Sequence, residues 1–264
     1  MHLDADKAYE TTVRLGIKTS TADAEGEILL ERPVAFTQEQ LDEVLLRFTG
    51  PIAQVPPMHS ALKKDGKALY EYARAGIEIE REARHVVIHG LKQLSAHMDS
   101  AELAIKLVVD CSKGTYIRTL GEDIGEALGC GAHLSALRRV RTGGFDTTHC
   151  VTLEALEAMT EAERMACLLP VDALLAQHVA VTLDSDNAAR FLSGMRRRGS
   201  WADAEQVAVY AASPKALLGT AQVKAGELIP VRLLSPLEIS ETLGQQAAME
   251  TSLKQSSENW APVA

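Results

Sequence analysis

The side chains that most often bind metals or act as nucleophiles are few in this sequence and widely spaced. None of its cysteines form a Cys-x-x-Cys pair, so we expect reduced thiols in a reducing compartment. They are Cys111, Cys130, Cys150 and Cys167. His85 and His89 have the spacing of two metal ligands on one helix, but the intervening Val-Val-Ile predicts a strand and no glutamate follows His85. We therefore predict no metal site.

Basic side chains are concentrated in two internal segments, although the whole chain is acidic. The formal net charge is −9 over 264 residues. Residues 59–74 nevertheless carry 4 basic and 2 acidic side chains, and residues 106–141 carry 6 and 4. Nucleic-acid affinity depends on a local basic patch rather than on the total charge. The charge pattern is therefore compatible with an RNA partner and equally with two ordinary solvated faces.

Alternating apolar residues predict the strands that would position these segments. The first predicted strand places five side chains on one face, namely Tyr9, Thr11, Val13, Leu15 and Ile17. A polar loop at 19–26 and a second short strand at 26–31 follow. Residues 85–92 and 101–111 predict a strand pair around a turn at 95–100.

Helical periodicity predicts the elements between and after these strands. Thr37 and Gln40 form a capping box for a helix that Gly50 and Pro51 should stop. Residues 51–82 begin as an exposed Pro-rich loop and should turn helical at 68–75. A tight turn at 112–116 leads into a helix with apolar residues at 117, 120, 124 and 128, and residues 134–140 predict a further short helix.

Composition places the chain among ordinary globular proteins. Apolar residues make up 46% and charged residues 24%, and no apolar run approaches the roughly 18 residues of a membrane helix. The N-terminus has no signal-peptide pattern, so we expect a cytoplasmic protein that does not bind membranes. Residues 151–177 predict a helical connection, and 178–236 predict the short strands of a small β-barrel. We expect 237–264 to be a disordered tail.

Three long motifs, in a fixed order along the chain, are more specific than any of these patterns. The first is Asp6-Lys-Ala-Tyr9 with Leu15-Gly-Ile-Lys-Thr-Ser-Thr-Ala-Asp-Ala-Glu-Gly26. The second runs from Pro56 to Arg74, and the third is Cys111-Ser-Lys-Gly-Thr-Tyr-Ile-Arg-Thr-Leu-Gly-Glu-Asp-Ile-Gly125 followed by Gly129-Cys-Gly-Ala-His-Leu-Ser-Ala-Leu-Arg-Arg139. Together they resemble the bacterial tRNA pseudouridine synthase B family.

The resemblance implies an α+β fold, activity on tRNA and no cofactor. Residues 1–150 would form a catalytic domain around a mixed, mostly antiparallel sheet with flanking helices, and 56–82 would be an RNA-gripping insertion. Residues 178–236 would form a PUA-like RNA-binding barrel. Family members isomerise uridine 55 to pseudouridine in the T-arm of tRNA. We expect a monomer, since no protein partner is implied.

The resemblance also assigns roles to individual residues. Tyr9 would stack on the flipped base and remove its C5 proton, Arg118 would pair with the catalytic aspartate, and Tyr116 and Leu137 would line the uridine pocket. Asp23 would have a structural or RNA-loop role. The RNA-binding candidates are His59, Lys63, Lys64, Lys67, Arg74, Lys113 and Arg138.

The family's nucleophile is an aspartate in a motif close to Gly-His-Thr-Gly-x-Leu-Asp-Pro, and this motif does not occur in the sequence. We therefore expect an N-terminally truncated catalytic domain, without isomerase activity alone, in which Arg118 is an unpaired buried charge. Missing strands should expose sheet edges and cause poor solubility or partial unfolding. The alternative is a non-catalytic RNA-binding or tRNA-folding remnant. The gene sequence just upstream would distinguish the two.

Overall fold

The structure is a computed structural model that describes residues 5–97 and 103–244. The chain divides into two compact units, residues 1–149 and 150–264. No helix within the described ranges is long and apolar enough to cross a membrane.

The first unit combines strands and three α-helices. The strands are β1 (Lys7–Leu15), β2 (Ile17–Thr19), β3 (Ile28–Glu31), β4 (Gly50–Gln54), β5 (Lys63–Lys64), β6 (Lys67–Ala68), β7 (Arg84–His97), β8 (Ala104–Cys111), β9 (Ala132–Thr142) and β10 (Phe145–Asp146). The helices are α1 (Gln38–Arg47), α2 (Leu69–Arg74) and α3 (Ile117–Ala127), and a 3₁₀ turn spans Thr147–His149.

Six of these strands form one sheet in the order β10-β9-β1-β8-β7-β4, and every pairing is antiparallel. β1 lies near the middle, where Tyr9 is opposite Val109 of β8 and Arg139 of β9. The predicted antiparallel sheet and the predicted pairing of the strands at 85–92 and 101–111 are confirmed. Residues 95–97 of the expected turn belong to β7 instead, and residues 98–100 lie outside the described residues.

Alternation along β1 and helical periodicity in α1 and α3 bury one shared core. Val13 and Leu15 of β1 pack with Leu41 of α1 and with Leu120 and Ile124 of α3, and all five are at most 3% exposed. α1 begins at the predicted capping box, in which the Thr37 side chain and the side chain at the third helical position bond each other's backbone N–H.

Two elements differ from the sequence predictions. Residues 50–54 form the edge strand β4 rather than loop, because Pro51 lies on the sheet edge, where a missing N–H is tolerated. Residues 134–140 belong to strand β9 rather than a helix. Leu134 and Leu137 have helical spacing, yet they lie opposite Val13 and Thr11, because register shifts in the β1–β9 pairing admit extra residues on β9.

The second unit begins with short helical segments and continues as a five-stranded sheet. It contains helices α4 (Leu153–Ala158), α5 (Glu161–Ala166) and α6 (Ser185–Leu192), a 3₁₀ turn at Val171–Leu175 and a further helix at 236–244. Its strands are β11 (Val179–Leu183), β12 (Arg197–Arg198), β13 (Ala204–Ala212), β14 (Lys215–Lys224) and β15 (Glu227–Leu233). The sheet order is β11-β13-β14-β15-β12, with only β11 and β13 parallel among the described pairs. Fully buried Phe191 of α6 anchors its core.

Residues 236–244 form a helix, so the expectation of disorder from 237 onward is wrong for this part. Ser235 and Glu238 form reciprocal capping hydrogen bonds at its start. Ile239 packs against the core of the second unit, and Thr242 is buried. The packing of Ile239 and the capping hydrogen bonds at Ser235 therefore order a segment whose composition is polar. The rest of the expected tail, 245–264, lies outside the described residues.

Candidate active site and RNA-binding surface

Close packing of α3 on the sheet determines where the candidate residues lie. A Cβ atom at Gly121 would come within 2.5 Å of Leu134 Cδ2 and within 3.6 Å of Val13 Cγ2, so glycine lets the helix backbone lie directly on β1 and β9. β8 ends beside the start of β1, and α3 follows it after a short turn. The first turn of α3, with Arg118, therefore lies toward the end of β1 that carries Tyr9.

Tyr9 is half-buried on β1 and packs against the core. The Arg139 guanidinium lies 6.0 Å from the centre of its ring, on the neighbouring strand. Burial raises the pKa of Tyr9 above its usual value, and the positive charge of Arg139 only partly opposes this. The phenol is therefore protonated at neutral pH and presents both a ring face and a hydrogen-bond donor.

Arg118 is held by the two loops that surround the start of α3. Its Nη1 donates to Asp23 Oδ2 at 2.9 Å and to the carbonyl of Thr21 at 3.2 Å. Its Nη2 donates to the carbonyl of His59 at 2.6 Å. Only 24% of the side chain is exposed. The guanidinium thus joins the loop at 19–26 to the start of the segment 56–82, which we call the insertion.

The expectation that Arg118 carries an unpaired buried charge is wrong, because Asp23 supplies a carboxylate within this chain. The sequence gives little indication of the pair, since the two residues are 95 positions apart. Within the described residues, Nε of Arg118 has no hydrogen-bond partner. A second carboxylate could be bound there, or could exchange with Asp23.

The backbone beside Asp23 is held in an unusual conformation. Ala22 has a φ of +59°, in the left-handed region that costs a residue with a Cβ about 1–2 kcal/mol. Its carbonyl accepts a hydrogen bond from the N–H of Leu134 at 3.0 Å, and Asp23 bridges to Leu134 as an isolated β-pair. The loop is therefore fixed to β9, and this fixes the direction in which Asp23 meets Arg118.

Asp23 is stabilised as a carboxylate. Burial opposes its ionisation, but hydrogen bonds from the Thr21 hydroxyl at 2.5 Å and the Glu25 N–H at 3.2 Å, together with Arg118, outweigh that effect. The pKa of Asp23 is consequently lowered from its usual value. Asp23 and Arg118 form a charged pair throughout the neutral pH range.

Replacing Asp23 by asparagine should change how stability depends on pH. Because the folded-state pKa is lowered, ionised Asp23 stabilises the fold above its unfolded pKa, and this contribution is lost as pH falls through the folded pKa. The difference in unfolding free energy between wild type and Asp23→Asn should be constant above about pH 5 and shrink below it. Urea titrations over this range measure it. Asp186→Asn, which removes an exposed ion pair with Arg190, is the control. A difference that does not vary with pH would contradict the prediction.

Gln54 is a site residue that the sequence prediction missed. Its side chain is 2% exposed and bonds both backbone groups of Tyr116. Nε2 donates to the Tyr116 carbonyl at 3.3 Å, and Oε1 accepts from the Tyr116 N–H at 3.1 Å. The bond pair joins the end of β4 to the residue that precedes α3. The only sequence signal was an amide at the end of a short apolar run before Pro56.

β9 presents Leu137 and Arg139 where a helix was expected. Leu137 lies opposite Thr11 and Arg139 opposite Tyr9, so the antiparallel register places both toward the face of β1 that carries Tyr9. Leu137 is 47% exposed, which makes it an apolar contact surface rather than core. Arg138, opposite Glu10, lies exposed between them in sequence. The sequence prediction did not include Arg139 among the site residues.

The insertion gathers most of the predicted RNA-binding residues. Lys63 and Lys64 form β5, Lys67 begins β6, and Arg74 ends α2. Two of these cations lie over tyrosine rings of α2, at 4.8 Å for Lys67 over Tyr72 and 5.3 Å for Arg74 over Tyr70.

Of two further RNA-binding candidates, His59 lies near the start of the insertion and Lys113 lies outside it. His59 is half-buried, and its carbonyl is the one that Arg118 binds. Lys113 is exposed in the turn before α3.

The histidine pair that suggested a metal site does not form one. His85 and His89 lie on β7, where four residues span about 13 Å, too far for one ion. His89 Nε2 instead lies 3.2 Å from Asp6 Oδ2.

Comparison with known proteins adds to this geometry. Residues 1–117 match the TruB family pseudouridylate synthase N-terminal domain, residues 118–176 the tRNA pseudouridylate synthase B C-terminal domain, and residues 180–234 the pseudouridine synthase II TruB C-terminal domain. The tRNA pseudouridine synthase B of Verminephrobacter eiseniae is 58% identical over 93% of this chain and 75% of its own length. That of Ralstonia nicotianae is 58% identical over 88% of this chain and 76% of its own length. The chain belongs to the TruB family of pseudouridine synthases.

Solved structures show that this TruB-family fold is shared more widely. A chain in the crystal structure of a Cbf5-Nop10-Gar1 complex superposes with a TM-score of 0.59 at 22% identity, over 88% of this chain and 67% of that one. A structure of an H/ACA RNP bound to a substrate RNA containing 2′-deoxyuridine gives 0.60 at 18% identity, over 89% and 67%. The resemblance inferred from the three motifs and the expected fold class are confirmed.

Proposed function

We propose that this TruB-family chain binds the T-arm of tRNA and serves the isomerisation of uridine 55 to pseudouridine. The observation that carries the proposal is the fixed guanidinium of Arg118 at the start of α3, toward the end of β1 that presents Tyr9. The relatives named tRNA pseudouridine synthase B support the same substrate.

The reaction breaks the N1–C1′ bond of uridine, turns the uracil and joins C5 to C1′. C5 loses a proton and N1 gains one, so the product is an isomer of the substrate. The isomerisation consumes no oxidant or reductant, and we propose that it needs no cofactor. The base must first leave the RNA stack, at a cost of a few kcal/mol. We propose that the ring of Tyr9 stacks on the flipped uracil and that Tyr116 and exposed Leu137 line its pocket. Since burial keeps the Tyr9 phenol protonated, it can take up the C5 proton only after giving up its own.

Arg118 would orient the carboxylate that attacks the nucleotide. A guanidinium fixed on two sides is already ordered, so binding a second carboxylate costs it little further entropy. The Gly-rich motif that carries the family's nucleophile is not among the 264 residues of the sequence. We therefore propose that these residues supply base binding and carboxylate orientation, and that they do not turn over uridine without that motif.

RNA contact would be spread over the insertion and the turn before α3. Arginine and lysine side chains at 63, 64, 67, 74, 113 and 138 are the candidates for phosphate contact. His59 could stack on a base, as unstacked RNA bases commonly do on flat side chains. These contacts would fix the T-arm on the enzyme but carry little sequence information.

A T-arm stem-loop with tritium at C5 of the target uridine tests binding and chemistry together. We expect the purified chain to bind it with an affinity that falls steeply with salt. In a plot of the logarithm of the association constant against the logarithm of salt concentration, each phosphate contact should contribute about one unit of negative slope. We expect no tritium release at an enzyme-like rate. A stem-loop with cytidine at the target position is the matched control for base recognition. Binding that does not respond to salt would contradict the RNA proposal, and rapid tritium release would contradict the inference about the nucleophile.

A non-catalytic RNA-binding or tRNA-folding role is the second candidate. It is favoured by one observation, that the sequence contains no Gly-His-Thr-Gly-x-Leu-Asp motif. Gene sequence directly upstream discriminates between the two roles. An in-frame motif there supports the isomerase, whereas a stop codon or frameshift supports the binding role.

We also propose that the chain is a cytoplasmic monomer. Cys111 and Cys130 are buried thiols and Cys167 is an exposed thiol, none of them in a disulfide, which suits a reducing compartment. Light scattering coupled to size-exclusion chromatography should give the mass of one chain. A stable dimer at micromolar concentration would contradict this.

A further inference from the structure

Three arginines lie close together on β9, and they differ in what neutralises their charge. Arg141 bonds both carboxylate oxygens of Asp110 at 2.7 Å. Arg138 lies opposite a glutamate of β1. Among the residues that the structure describes, exposed Arg139 has neither a carboxylate nor a hydrogen-bond partner. Its guanidinium lies instead 6.0 Å from the centre of the Tyr9 ring, so its charge acts chiefly on that ring.

An extra residue in β9 turns Arg139 toward Tyr9. Residues two apart on a strand normally share a face, and Arg139 would then point the same way as Arg141. In the β1–β9 pairing, however, Arg141 lies opposite Ala8 and Arg139 opposite the next residue, Tyr9, which leaves Val140 as an extra residue between them. A β-bulge of this kind re-aims side chains and is frequent beside active sites. The direction of Arg139 is therefore a specific feature of this strand pair.

The other ionisable groups on the Tyr9 side of the sheet are uncharged or already bonded. Cys111 of β8 shares the face of Tyr9, and burial raises the pKa of its thiol to about 11, so it carries no charge at neutral pH. Lys7, two residues before Tyr9, donates to the backbone carbonyl two residues before it at 2.6 Å. Arg118 at the start of α3 is paired with Asp23.

Tyr9 has a need that a nearby cation would meet. Its phenol is protonated in the free chain because burial raises its pKa, and the positive charge of Arg139 opposes this effect. To take up the C5 proton, Tyr9 must first become a phenolate. A base stacked on the ring would then exclude the water that solvates a phenolate in the free chain.

The reaction itself provides an acceptor for the proton that Tyr9 must lose. The electron pair of the N1–C1′ bond stays on N1, which takes the proton of the phenol. The C5=C6 pair then forms the C5–C1′ bond and displaces the attacking carboxylate from C1′. The pair of the C5–H bond restores C5=C6 when the phenolate takes that proton. Tyr9 thus ends as it began, and it carries a negative charge only between the two transfers.

We propose that Arg139 is a positioning residue for this reaction, whose guanidinium holds the Tyr9 ring and stabilises the phenolate formed between the two proton transfers. This deepens the proposed function and rests on it, since Tyr9 is taken to accept the C5 proton. Arg139 acts through Tyr9 and need not touch the nucleotide. Water and salt screen its exposed charge in the free chain, so its effect should be larger once a stacked base covers Tyr9.

Titration of the phenol at position 9 tests this role in the full chain, without a need for turnover. Difluorotyrosine placed at position 9 ionises near neutral pH, because fluorine withdraws electrons, and fluorine NMR reports its phenolate. Arg139→Gln should raise the midpoint of this titration by about 0.5–1 pH unit, as expected for the loss of a unit charge about 6 Å away near a protein surface. Arg139→Lys keeps the charge and should recover most of the difference. High salt should reduce the difference, because it screens an exposed charge.

Arg138→Gln is the matched control, because it removes the adjacent exposed arginine, which lies opposite Glu10 and not opposite Tyr9. It should move the midpoint less than half as far as Arg139→Gln does. As a candidate for phosphate contact, Arg138 should instead reduce the salt slope of stem-loop binding by about one when it is replaced. The titrations are repeated with the T-arm stem-loop bound, where the effect of Arg139→Gln on the midpoint should grow.

The outcomes separate the role of Arg139 from the proposed function. Failure of the wild-type chain to bind the stem-loop would overturn both. Binding by wild type, with equal midpoints in wild type and Arg139→Gln, would overturn only the role of Arg139. Weaker binding by Arg139→Gln at an unchanged midpoint would also overturn that role, because Arg139 would then be a phosphate contact. A midpoint that rises in Arg139→Gln and returns in Arg139→Lys would support it.

Discussion

Replacing Arg118 by methionine is expected to destabilise the first unit by about 1–3 kcal/mol and to weaken T-arm binding by about tenfold. The substitution keeps most of the apolar stem but removes donors to Asp23, Thr21 and His59. Asp23 is left as a carboxylate without its cation, in a site where 28% of its side chain is exposed. Partial exposure reduces the cost below that of a fully buried pair. Binding weakens because the start of the insertion loses its tie to α3.

A double-mutant cycle with Asp23→Ala separates the ion pair from the rest of this effect. We expect a coupling of about 1 kcal/mol between positions 118 and 23, measured by urea unfolding near neutral pH. The control cycle uses Asp186 and Arg190, whose ion pair at 3.0 Å is more exposed and should give less than about 0.5 kcal/mol. Arg118→Lys should recover the charge but not both carbonyl bonds, because lysine lacks the planar fork. Equal couplings in the two cycles would show that the Arg118 pair is an ordinary surface contact.

Local patterns in the sequence predicted much of the first unit correctly. The alternation around Tyr9 predicts β1, and the Thr37 capping box predicts the start of α1, because both signals act between residues close in sequence. Long motifs added the family, and with it the region of the site. The predictions of β1 and α1 depend only on local backbone preference and on the burial of one face of each element.

The missed features depend on contacts between distant residues. Asp23 and Arg118 are 95 positions apart, and Gln54 and Tyr116 are 62 apart, so neither pairing leaves a local pattern. β9 was predicted as a helix because its leucines have helical spacing, and only pairing with β1 and shifts in that register make it a strand. Short polar contacts between loops therefore define the site more than periodicity does. Such contacts can be predicted from a sequence only when the residues that make them belong to a known family motif.

Replacing Gln54 by leucine is the second substitution with a large expected effect. Leucine fits the apolar environment but cannot accept from the Tyr116 N–H, which loses its partner. The Tyr116 carbonyl loses one of two donors, because the Leu120 N–H also donates to it at 3.0 Å. A buried donor left without a partner costs about 1–3 kcal/mol, and we expect a loss of about that size in the free energy of unfolding. Tyr116 precedes α3, so the change should also increase hydrogen exchange in the first turn of that helix. Urea unfolding and hydrogen-exchange mass spectrometry measure the two effects.

Comparison with an exposed glutamine isolates the role of burial in this effect. Gln38 bonds Asp42 and Gln93 on the surface, and Gln38→Leu should cost less than about 0.5 kcal/mol because water replaces those bonds. Gln54→Glu keeps the acceptor for the Tyr116 N–H, and it keeps a donor for the Tyr116 carbonyl only while its carboxyl is protonated. A carboxyl at this buried position should have a raised pKa. This variant should therefore lose stability as pH rises above the unfolded pKa of glutamate, about 4.3, whereas Gln54→Leu should lose the same amount at every pH. If Gln54→Leu is no less stable than Gln38→Leu, the start of α3 does not depend on the bonds from β4, and Tyr116 must be positioned by other contacts.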